Sequence, residues 1–372
     1  MKVMIIFGTR PEGIKFAPII KELQTNKKFE TVLVNTGQHI EMLDQVLSLF
    51  SIKPEYELKL MKTNQKLEEL SAELIQKLGE VLDKEKPDLV FVLGDTATTF
   101  AGAYTSFLKR ISVAHVEAGL RTHNISSPFP EEMYRRIVTK LSDYHFAPTE
   151  KNKENLLAEG IPQERIIITG NSVIDALYDI TNRPYVFPDH LQKIFDRGKR
   201  ILLVTTHRRE NFIKLKGIYE ALTSLVEEFE DIEIIFPVHP NPNVRKEVKD
   251  HFLASTKSFT IHIIEPLDYE CFAHVMKKSY LVITDSGGIQ EEAPALDIPV
   301  LVIRESTERT EGVKAGTLKL VGTEKDDILQ ATRMLLNNPQ AYENMAQANN
   351  PYGDGTTSEQ ISSYLDKIAK KI

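Results

Sequence analysis

A turn of small residues follows an apolar run near the end of the chain, where residues 285–288 (Asp-Ser-Gly-Gly) come after residues 280–284. The sequence beyond the turn has a helical pattern, so the segment predicts a strand, a tight turn and a helix start. Backbone N–H groups at a helix start bind phosphate, and glycine lets the ligand approach the backbone closely. An acidic residue further along, such as Glu292, could bind a ribose hydroxyl. A nucleoside diphosphate is therefore the first ligand to consider, although an ordinary strand-to-helix turn would have the same sequence.

A second strand-to-loop motif opens the chain. The apolar residues 4–7 are followed by Gly8 and Thr9, which predict a turn at the start of a helix. Arg10 and Lys15 are placed there to neutralise phosphate charge. The chain therefore carries phosphate-binding signals in both halves.

Three carboxylates lie at predicted strand ends or helix starts in the first half. Asp95 and Glu117 each follow an apolar run, and Glu131 stands where two prolines fix the start of a helix. Ligands of open parallel sheets bind beyond the carboxyl ends of the strands, so we expect the three side chains at one rim. Neighbouring carboxylates raise one another's pKa and can supply both a proton donor and a proton acceptor. Each could instead be structural, because Asp95 could cap a helix and Glu131 could favour a helix N-terminus by its charge.

Two histidines also follow predicted strands. His207 heads a polar cluster, and we interpret it as a ligand-binding or catalytic residue. His239 lies between two prolines, where a structural hydrogen bond explains it equally well. The single cysteine, Cys271, lies in a helical pattern and is expected to pack in the core. No spacing typical of metal ligands occurs in these loops.

Composition limits the possible functions. The chain has 372 residues, which favours two domains, and a net charge of -7, which argues against a general binder of nucleic acid or anionic membranes. No apolar run approaches the ~20 residues that span a bilayer, and the N-terminus enters a strand without a signal sequence. One cysteine excludes an internal disulfide. We expect a soluble, cytoplasmic protein.

Apolar runs alternate with amphipathic helical patterns along nearly the whole chain. The predicted strands are residues 31–35, 89–93, 113–116, 144–147 and 166–168 in the first half, and residues 201–205, 232–237, 260–264, 281–284 and 300–303 in the second. This alternation predicts an α/β fold whose parallel sheets are covered on both faces. Residues 182–199 contain no clear strand, so we place a domain boundary before them, near Gly170.

Seven short motifs occur in order. They are Gly-Thr-Arg-Pro-Glu at residues 8–12, Gly-Asp-Thr at 94–96, His-Val-Glu-Ala-Gly-Leu-Arg at 115–121, Pro-Glu-Glu at 130–132, Thr-Gly-Asn at 169–171, His-Arg-Arg-Glu-Asn at 207–211 and Asp-Ser-Gly-Gly-Ile-Gln-Glu-Glu at 285–292. Together they resemble the non-hydrolysing UDP-N-acetylglucosamine 2-epimerases of bacteria. The resemblance extends over essentially the whole chain, to residues 350–355 (Asn-Pro-Tyr-Gly-Asp-Gly).

The resemblance implies a GT-B fold, in which two Rossmann-like domains with parallel sheets face a central cleft. Residues 1–170 would then form an N-terminal domain that carries the catalytic carboxylates, and residues 171–355 a UDP-binding domain. Residues 356–372 would form a helix that packs back on the N-terminal domain. The resemblance also implies a homodimer and no metal or nicotinamide cofactor.

The implied reaction is the reversible epimerisation of UDP-N-acetylglucosamine to UDP-N-acetylmannosamine at C2, which supplies cell-surface polysaccharide synthesis. The C2 proton has no neighbouring carbonyl and becomes acidic only as UDP leaves C1, which gives 2-acetamidoglucal, and UDP then adds back. By resemblance the catalytic residues are Asp95, Glu117, Glu131 and His207. The implied UDP-sugar contacts are Arg10, Lys15, His207, Phe272, Ser286, Gly287, Gly288 and Glu292, although Phe272 could equally be a core residue.

Many members of this family are activated by their own substrate, bound at a second site. The residues of this chain that match that site are Gln38, His39, Gln65, Arg208 and His239. Two arginines of the site are replaced here by Ile40 and Asn64, and Thr310 replaces a proline of a further family loop. We expect these departures to weaken substrate activation and to leave catalysis intact.

Rival functions share part of this pattern. A hydrolysing 2-epimerase would release free N-acetylmannosamine and UDP. A GT-B glycosyltransferase would need an acceptor site, often with a basic and apolar membrane patch, which we do not find in the sequence of the first domain. A protein that only senses nucleotide sugars would not need three carboxylates at one rim.

Overall fold

Most of the strands are short runs of β-branched, aromatic and other apolar residues whose side chains are buried on both faces. In β1 (Lys2–Phe7) the last five residues are buried, and β4 (Leu89–Leu93) is buried throughout. Strands of this kind belong to parallel sheets covered by helices on both sides. The computed structural model has this arrangement; it describes residues 1–38, 40–62, 65–206, 215–238 and 260–369, together with positions 245, 248, 251 and 252.

The first sheet has seven parallel strands in the order β3-β2-β1-β4-β5-β6-β7. Besides β1 and β4, its strands are β2 (Glu30–Asn35), β3 (Tyr56–Glu57), β5 (Ser112–Val116), β6 (Tyr144–Ala147) and β7 (Ile166–Ile168). The helices between them are α1 (Arg10–Thr25), α2 (Ile40–Leu49), α3 (Leu67–Glu85), α4 (Ala97–Leu108), α5 (Glu131–Leu141) and α6 (Glu150–Ala158), with a 3-10 turn at Gln163–Arg165. The first six strands follow the Rossmann order.

The second sheet has six parallel strands in the order β10-β9-β8-β11-β12-β13. They are β8 (Arg200–Thr205), β9 (Ile232–Pro237), β10 (Ile261–Ile264), β11 (Leu281–Thr284), β12 (Val300–Val302) and β13 (Leu318–Leu320). The described helices of this half are α7 (Ser172–Thr181), α8 (Asp189–Phe195), α9 (Leu215–Glu228), α10 (Tyr269–Lys277), α11 (Ile289–Glu292), α12 (Thr310–Ala315), α13 (Lys325–Asn337) and α14 (Pro339–Ala346), with a 3-10 turn at Ala293–Leu296. A last helix, α15 (Thr357–Ile368), closes the described chain.

Side chains of β1 alternate between the two faces of the first sheet, as the period of two in a strand requires. Val3, Ile5 and Phe7 pack in one apolar cluster with residues of α1 and α15. Met4 and Ile6 pack in another cluster with residues of α3 and α4. The helices packed on both faces therefore fix the position of the carboxyl end of β1 and of the turn that follows it.

The chain divides into two compact units. The first contains Met1–Tyr178 and Tyr352–Ile372, and the second contains Asp179–Pro351. This boundary lies eight residues beyond the predicted one near Gly170, because most of α7 contacts the first unit. The buried carboxylate of Asp175 in α7 caps α15, since Oδ1 accepts from the backbone N–H of Ser358 at 2.7 Å and from its hydroxyl at 2.6 Å. Burial raises the pKa of Asp175 against the effect of these donors.

The α/β class with two Rossmann-like parallel sheets is confirmed, and every predicted strand is present. The helix after the Gly-Gly turn is shorter than its pattern suggests. α11 has only four residues before Pro294 in the next turn breaks its hydrogen-bond pattern. None of the helices in the described ranges is both long and apolar enough to cross a membrane.

Candidate functional site

The carboxyl ends of β1, β4 and β5 lie side by side in the first sheet. β4 pairs with β1 on one side and with β5 on the other, and Leu93 is in register with Val116. The turns after these strands carry Arg10, Asp95 and Glu117. Chain direction and register thus bring these three predicted residues to one edge of the first sheet.

Glu117 is held in a strained and largely enclosed position. Its backbone has φ 60, in the left-handed region that non-glycine residues seldom adopt. Its carboxylate accepts from Lys15 Nζ at 2.6 and 2.7 Å and from Asn171 Nδ2 at 3.2 Å. The side chains of Glu117 and Lys15 are 11% and 17% exposed. Lys15, predicted to contact phosphate, therefore forms an ion pair with Glu117 in this structure.

Asp95 is held by an arginine from α5. Arg135 donates to Asp95 Oδ2 from Nε at 2.8 Å and from a terminal nitrogen at 2.6 Å. The same guanidinium reaches Glu132 Oε2 at 3.2 Å, and Glu132 is fully buried. Burial alone would raise the pKa of Glu132, but the Thr122 N–H and two arginines that donate to it hold that pKa below its usual range. Asp95 is thus fixed through a network anchored in α5.

Glu131, the first residue of α5, differs from the other two carboxylates. Its Oε2 is buried and forms no hydrogen bond with any residue that the structure describes. A buried carboxylate oxygen without a donor costs free energy of about 1–3 kcal/mol or more. Such an atom is available to exchange a proton with a bound molecule, whereas the oxygens of Glu117 and the Oδ2 of Asp95 are already engaged.

His115 supports the turn that carries Asp95. The ring is 1% exposed, and Nε2 lies 2.8 Å from the carbonyl oxygen of Gly94. The carbonyl can only accept, so Nε2 carries the proton and Nδ1 is bare. Nδ1 has no partner among the described residues. Burial lowers the pKa of His115 to about 3, and the Gly94 bond opposes this only in part. His115 is therefore neutral near pH 7.

The Gly-Gly turn in the second unit is fixed by side chains on both sides. Thr284 Oγ1 accepts from the N–H of Ser286 at 2.9 Å, and the carbonyl of Ser286 accepts from Gln290 Nε2 at 3.0 Å. The N–H groups of Gly287 and Gly288 donate to no described residue. Two free N–H groups in a fixed turn are what an anionic oxygen needs.

Charged side chains pack behind this turn. A Cβ at Gly287 would lie 3.1 Å from Arg309 Nη1, and Arg309 is held by Glu291 at 2.9 Å through Nε. Glu292 accepts from the hydroxyl of Tyr269 at 3.2 Å. Phe272 on α10 is half-buried, whereas its neighbour Cys271 is buried as predicted. Ser286, Gly287, Gly288 and Glu292 thus lie close together on one turn and its short helix.

Comparison with known proteins gives the family. The family model for UDP-N-acetylglucosamine 2-epimerase matches residues 21–366. The chain is 48% identical over 374 residues to the UDP-N-acetylglucosamine 2-epimerase of Neisseria meningitidis serogroup A, with 99% of this chain and 100% of that protein covered. It is 47% identical to the Bacillus subtilis enzyme of the same name, with 97% and 94% covered.

The chain belongs to the UDP-N-acetylglucosamine 2-epimerase family.

A solved structure from the family agrees with the fold. The crystal structure of the Neisseria meningitidis epimerase bound to UDP-GlcNAc matches this chain with a TM-score of 0.88 and 46% identity. That match covers 99% of this chain and 100% of the other. The GT-B-like class expected from the motifs is therefore confirmed.

Four predicted site residues lie outside the described residues. They are His207, a candidate for catalysis and UDP contact, and three residues matched to the family's activator site: His39, Arg208 and His239. The other two activator candidates are described. Gln38 Oε1 accepts from Thr98 at 3.2 Å, and Gln65 Nε2 donates to Glu73 at 3.0 Å. Gln65 is thus engaged within its own loop and with α3.

Several residues that contact the predicted site were not predicted from the sequence. Arg135, Glu132 and Asn171 contact the predicted carboxylates or one another, and Glu12 bonds to two of the turns. Glu132 and Asn171 stand within the quoted motifs, and the Thr9 to Glu12 spacing is that of a capping box. Arg135 lies one helical turn beyond Glu131 on α5, a spacing that places both on the same face of the helix. Three of these residues, Glu12, Glu132 and Asn171, therefore lie inside motifs that already pointed to the site.

Proposed function

We propose that this enzyme epimerises UDP-N-acetylglucosamine reversibly to UDP-N-acetylmannosamine without net hydrolysis. The C1–O bond to UDP breaks, a carboxylate removes the C2 proton, and 2-acetamidoglucal remains bound beside UDP. A proton is then delivered to the other face of C2, and a UDP oxygen rebinds C1. The substrate and product have the same composition, so the reaction consumes neither water nor an oxidant.

The observation that carries this proposal is that three carboxylates in the first unit differ in their hydrogen-bond and ion-pair partners. Glu117 is ion-paired, Asp95 is hydrogen-bonded to Arg135, and Glu131 has a buried oxygen without a described partner. Abstraction on one face of C2 and delivery on the other require at least two carboxyl groups in different protonation states. The three carboxylates differ in their hydrogen-bond partners, and we assign the proton transfers to Asp95, Glu117 and Glu131 together.

Departure of UDP requires stabilisation of the diphosphate charge. We assign this role to the free N–H groups of Gly287 and Gly288, to Ser286, and to Arg10 and His207. Arg10 forms no ion pair with any described residue, so its charge is available for an anion. Lys15 contributes through Glu117, and Glu292 and Phe272 bind the nucleoside. The bound UDP-GlcNAc in the Neisseria meningitidis relative supports this choice of ligand.

Two other reactions would use the same ligand. A hydrolysing epimerase releases N-acetylmannosamine and UDP, and a glycosyltransferase releases UDP only when an acceptor is present. We favour the non-hydrolysing reaction because the seven sequence motifs match that branch.

Product analysis separates the three reactions. The purified enzyme is incubated with UDP-N-acetylglucosamine alone, and the mixture is separated by anion-exchange chromatography. We expect UDP-N-acetylmannosamine as a minority product while total nucleotide sugar stays constant. Stoichiometric accumulation of free N-acetylmannosamine and UDP would instead establish hydrolysis.

Assembly and regulation are extensions of this proposal. We propose a homodimer in the cytoplasm whose product supplies a cell-surface polysaccharide. We also propose that substrate activation is weak, because Ile40 and Asn64 replace two arginines and Gln65 is bonded to Glu73.

A further inference from the structure

Glu12 is a buried carboxyl group whose two oxygens face two different turns. The residue is 2% exposed. Oε2 accepts from the backbone N–H of Gly8 at 3.0 Å and of Thr9 at 2.8 Å. These two residues form the turn after β1 that leads into Arg10.

The other oxygen of Glu12 reaches the turn after β4. Oε1 lies 2.7 Å from the hydroxyl of Thr96 and 3.1 Å from that of Thr99. Thr96 directly follows Asp95 and is the N-cap of α4. One carboxyl group thus joins the turn that carries Arg10 to the turn that carries Asp95.

Capping of α1 does not require this arrangement. At the start of α3 in the same unit, Glu69 accepts from the backbone N–H of Lys66 at 3.4 Å from an exposed position. Glu12 is instead buried, has no cationic partner among the described residues, and bonds to a turn 84 residues away in sequence. Burial raises the pKa of Glu12 against its hydrogen-bond donors. A buried carboxyl group without a cation is costly, which points to a role beyond the cap.

We propose that Glu12 is a positioning residue for the epimerase reaction: it fixes the spacing between the turn of Arg10 and the turn of Asp95. Placement errors of about 1 Å in such groups can cost about 100-fold in rate. The proposal rests on the roles assigned above to Arg10 and Asp95. Glu12 itself is not expected to touch the substrate.

The test compares Glu12→Ala with Glu12→Gln and with a matched control. Alanine removes the four bonds that Glu12 makes to the two turns, so kcat should fall about tenfold or more, with little change in the Kd for UDP. Glutamine can restore the contacts, because its carbonyl oxygen accepts from both N–H groups and its amide donates to both threonine hydroxyls. Glu12→Gln should therefore recover most of the lost kcat.

Asp175→Ala is the control for a general loss of stability. Asp175 is also a buried carboxylate that caps a helix, but its partners Thr357 and Ser358 carry no proposed role in the reaction. We expect it to lower the urea midpoint as Glu12→Ala does and to leave kcat near the wild-type value. A second variant, Thr99→Val, removes one contact of Glu12 with little change in volume and should lower kcat even if Glu12→Ala does not fold.

The outcomes distinguish this inference from the proposed function. Equal kcat in Glu12→Ala and Asp175→Ala, or an unchanged kcat in Thr99→Val, would overturn the positioning role. Asp95→Asn and Arg10→Ala are measured beside them. If those two variants kept their turnover, the proposed function itself would fail, whatever the result at Glu12.

Discussion

Acidification should destabilise the first unit through His115, and replacing that histidine should remove much of the effect. His115 is buried on β5, between β4 and β6 in the sheet, and its Nδ1 has no partner among the described residues to hold a second proton. Burial lowers its pKa to about 3. His145, the facing residue of β6, is also buried, and its pKa is lowered mainly for the same reason.

The direction of the pH effect follows from the protonation of His115 in the folded and unfolded states. In the unfolded chain His115 titrates near its ordinary pKa of about 6.5, whereas in the folded protein it stays neutral down to about pH 3. Between these values the unfolded state binds a proton that the folded state excludes. Stability is thus fully present above about pH 6.5 and is lost at about 1.4 kcal/mol per pH unit below it. From about pH 6.5 to about pH 4.5 the loss due to His115 is about 2–3 kcal/mol.

The assay is urea unfolding followed by circular dichroism, at about pH 7 and about pH 4.5, for the wild type and His115→Gln. The glutamine amide can replace the Nε2 bond to Gly94 but does not titrate. The pH-dependent loss of unfolding free energy should be smaller in the variant by about 2–3 kcal/mol. An equal loss in both proteins would refute the assignment of a depressed pKa to His115.

The remaining predictions concern turnover and ligand binding. Asp95→Asn, Glu117→Gln and Glu131→Gln should each lower kcat by about 100-fold or more, while UDP still binds. A variant with normal turnover would show that the replaced carboxylate takes no part in the proton transfers. Gly287→Ala places a Cβ 3.1 Å from Arg309, so calorimetry should show UDP affinity about tenfold weaker. Unchanged affinity would mean that UDP does not use this turn. Rate against substrate concentration should be less sigmoidal than in relatives that have both arginines, and strong sigmoidality abolished by Gln38→Ala or Gln65→Ala would contradict the weak activation proposed here.

Hydrophobic periodicity predicted the fold well because strand burial is a local property of the sequence. The apolar runs at residues 89–93 and 281–284 are fully buried strands in the structure. β3, with two residues, and β13, with an exposed centre, were not predicted because neither has an apolar run of sufficient length. The one-turn length of α11 was also missed, although Pro294 lies five residues beyond Ile289, where its missing N–H interrupts a helix.

Partners within the site were less predictable because they come from distant parts of the chain. Lys15 and Glu117 are 102 residues apart in sequence, and a basic residue beside a phosphate-binding turn gives no sign of a pairing with a carboxylate. The sequence around Glu12 shows only the Thr9-to-Glu12 spacing of a capping box. Its contact with the turn after β4 depends on where the carboxyl end of β4 lies beside that of β1, which is set by the register of the sheet. The relative position of these two strand ends cannot be read from the sequence around Glu12.

Exchange at C2 tests the central claim most directly. The enzyme is incubated with UDP-N-acetylglucosamine in heavy water, and the nucleotide sugars are followed by proton NMR. If a carboxylate removes the C2 proton and a solvent-exchanged group returns it, UDP-N-acetylmannosamine should appear as the minority species with deuterium at C2. Product that retains the original proton at C2 would contradict elimination and re-addition, and with it the role proposed for the three carboxylates.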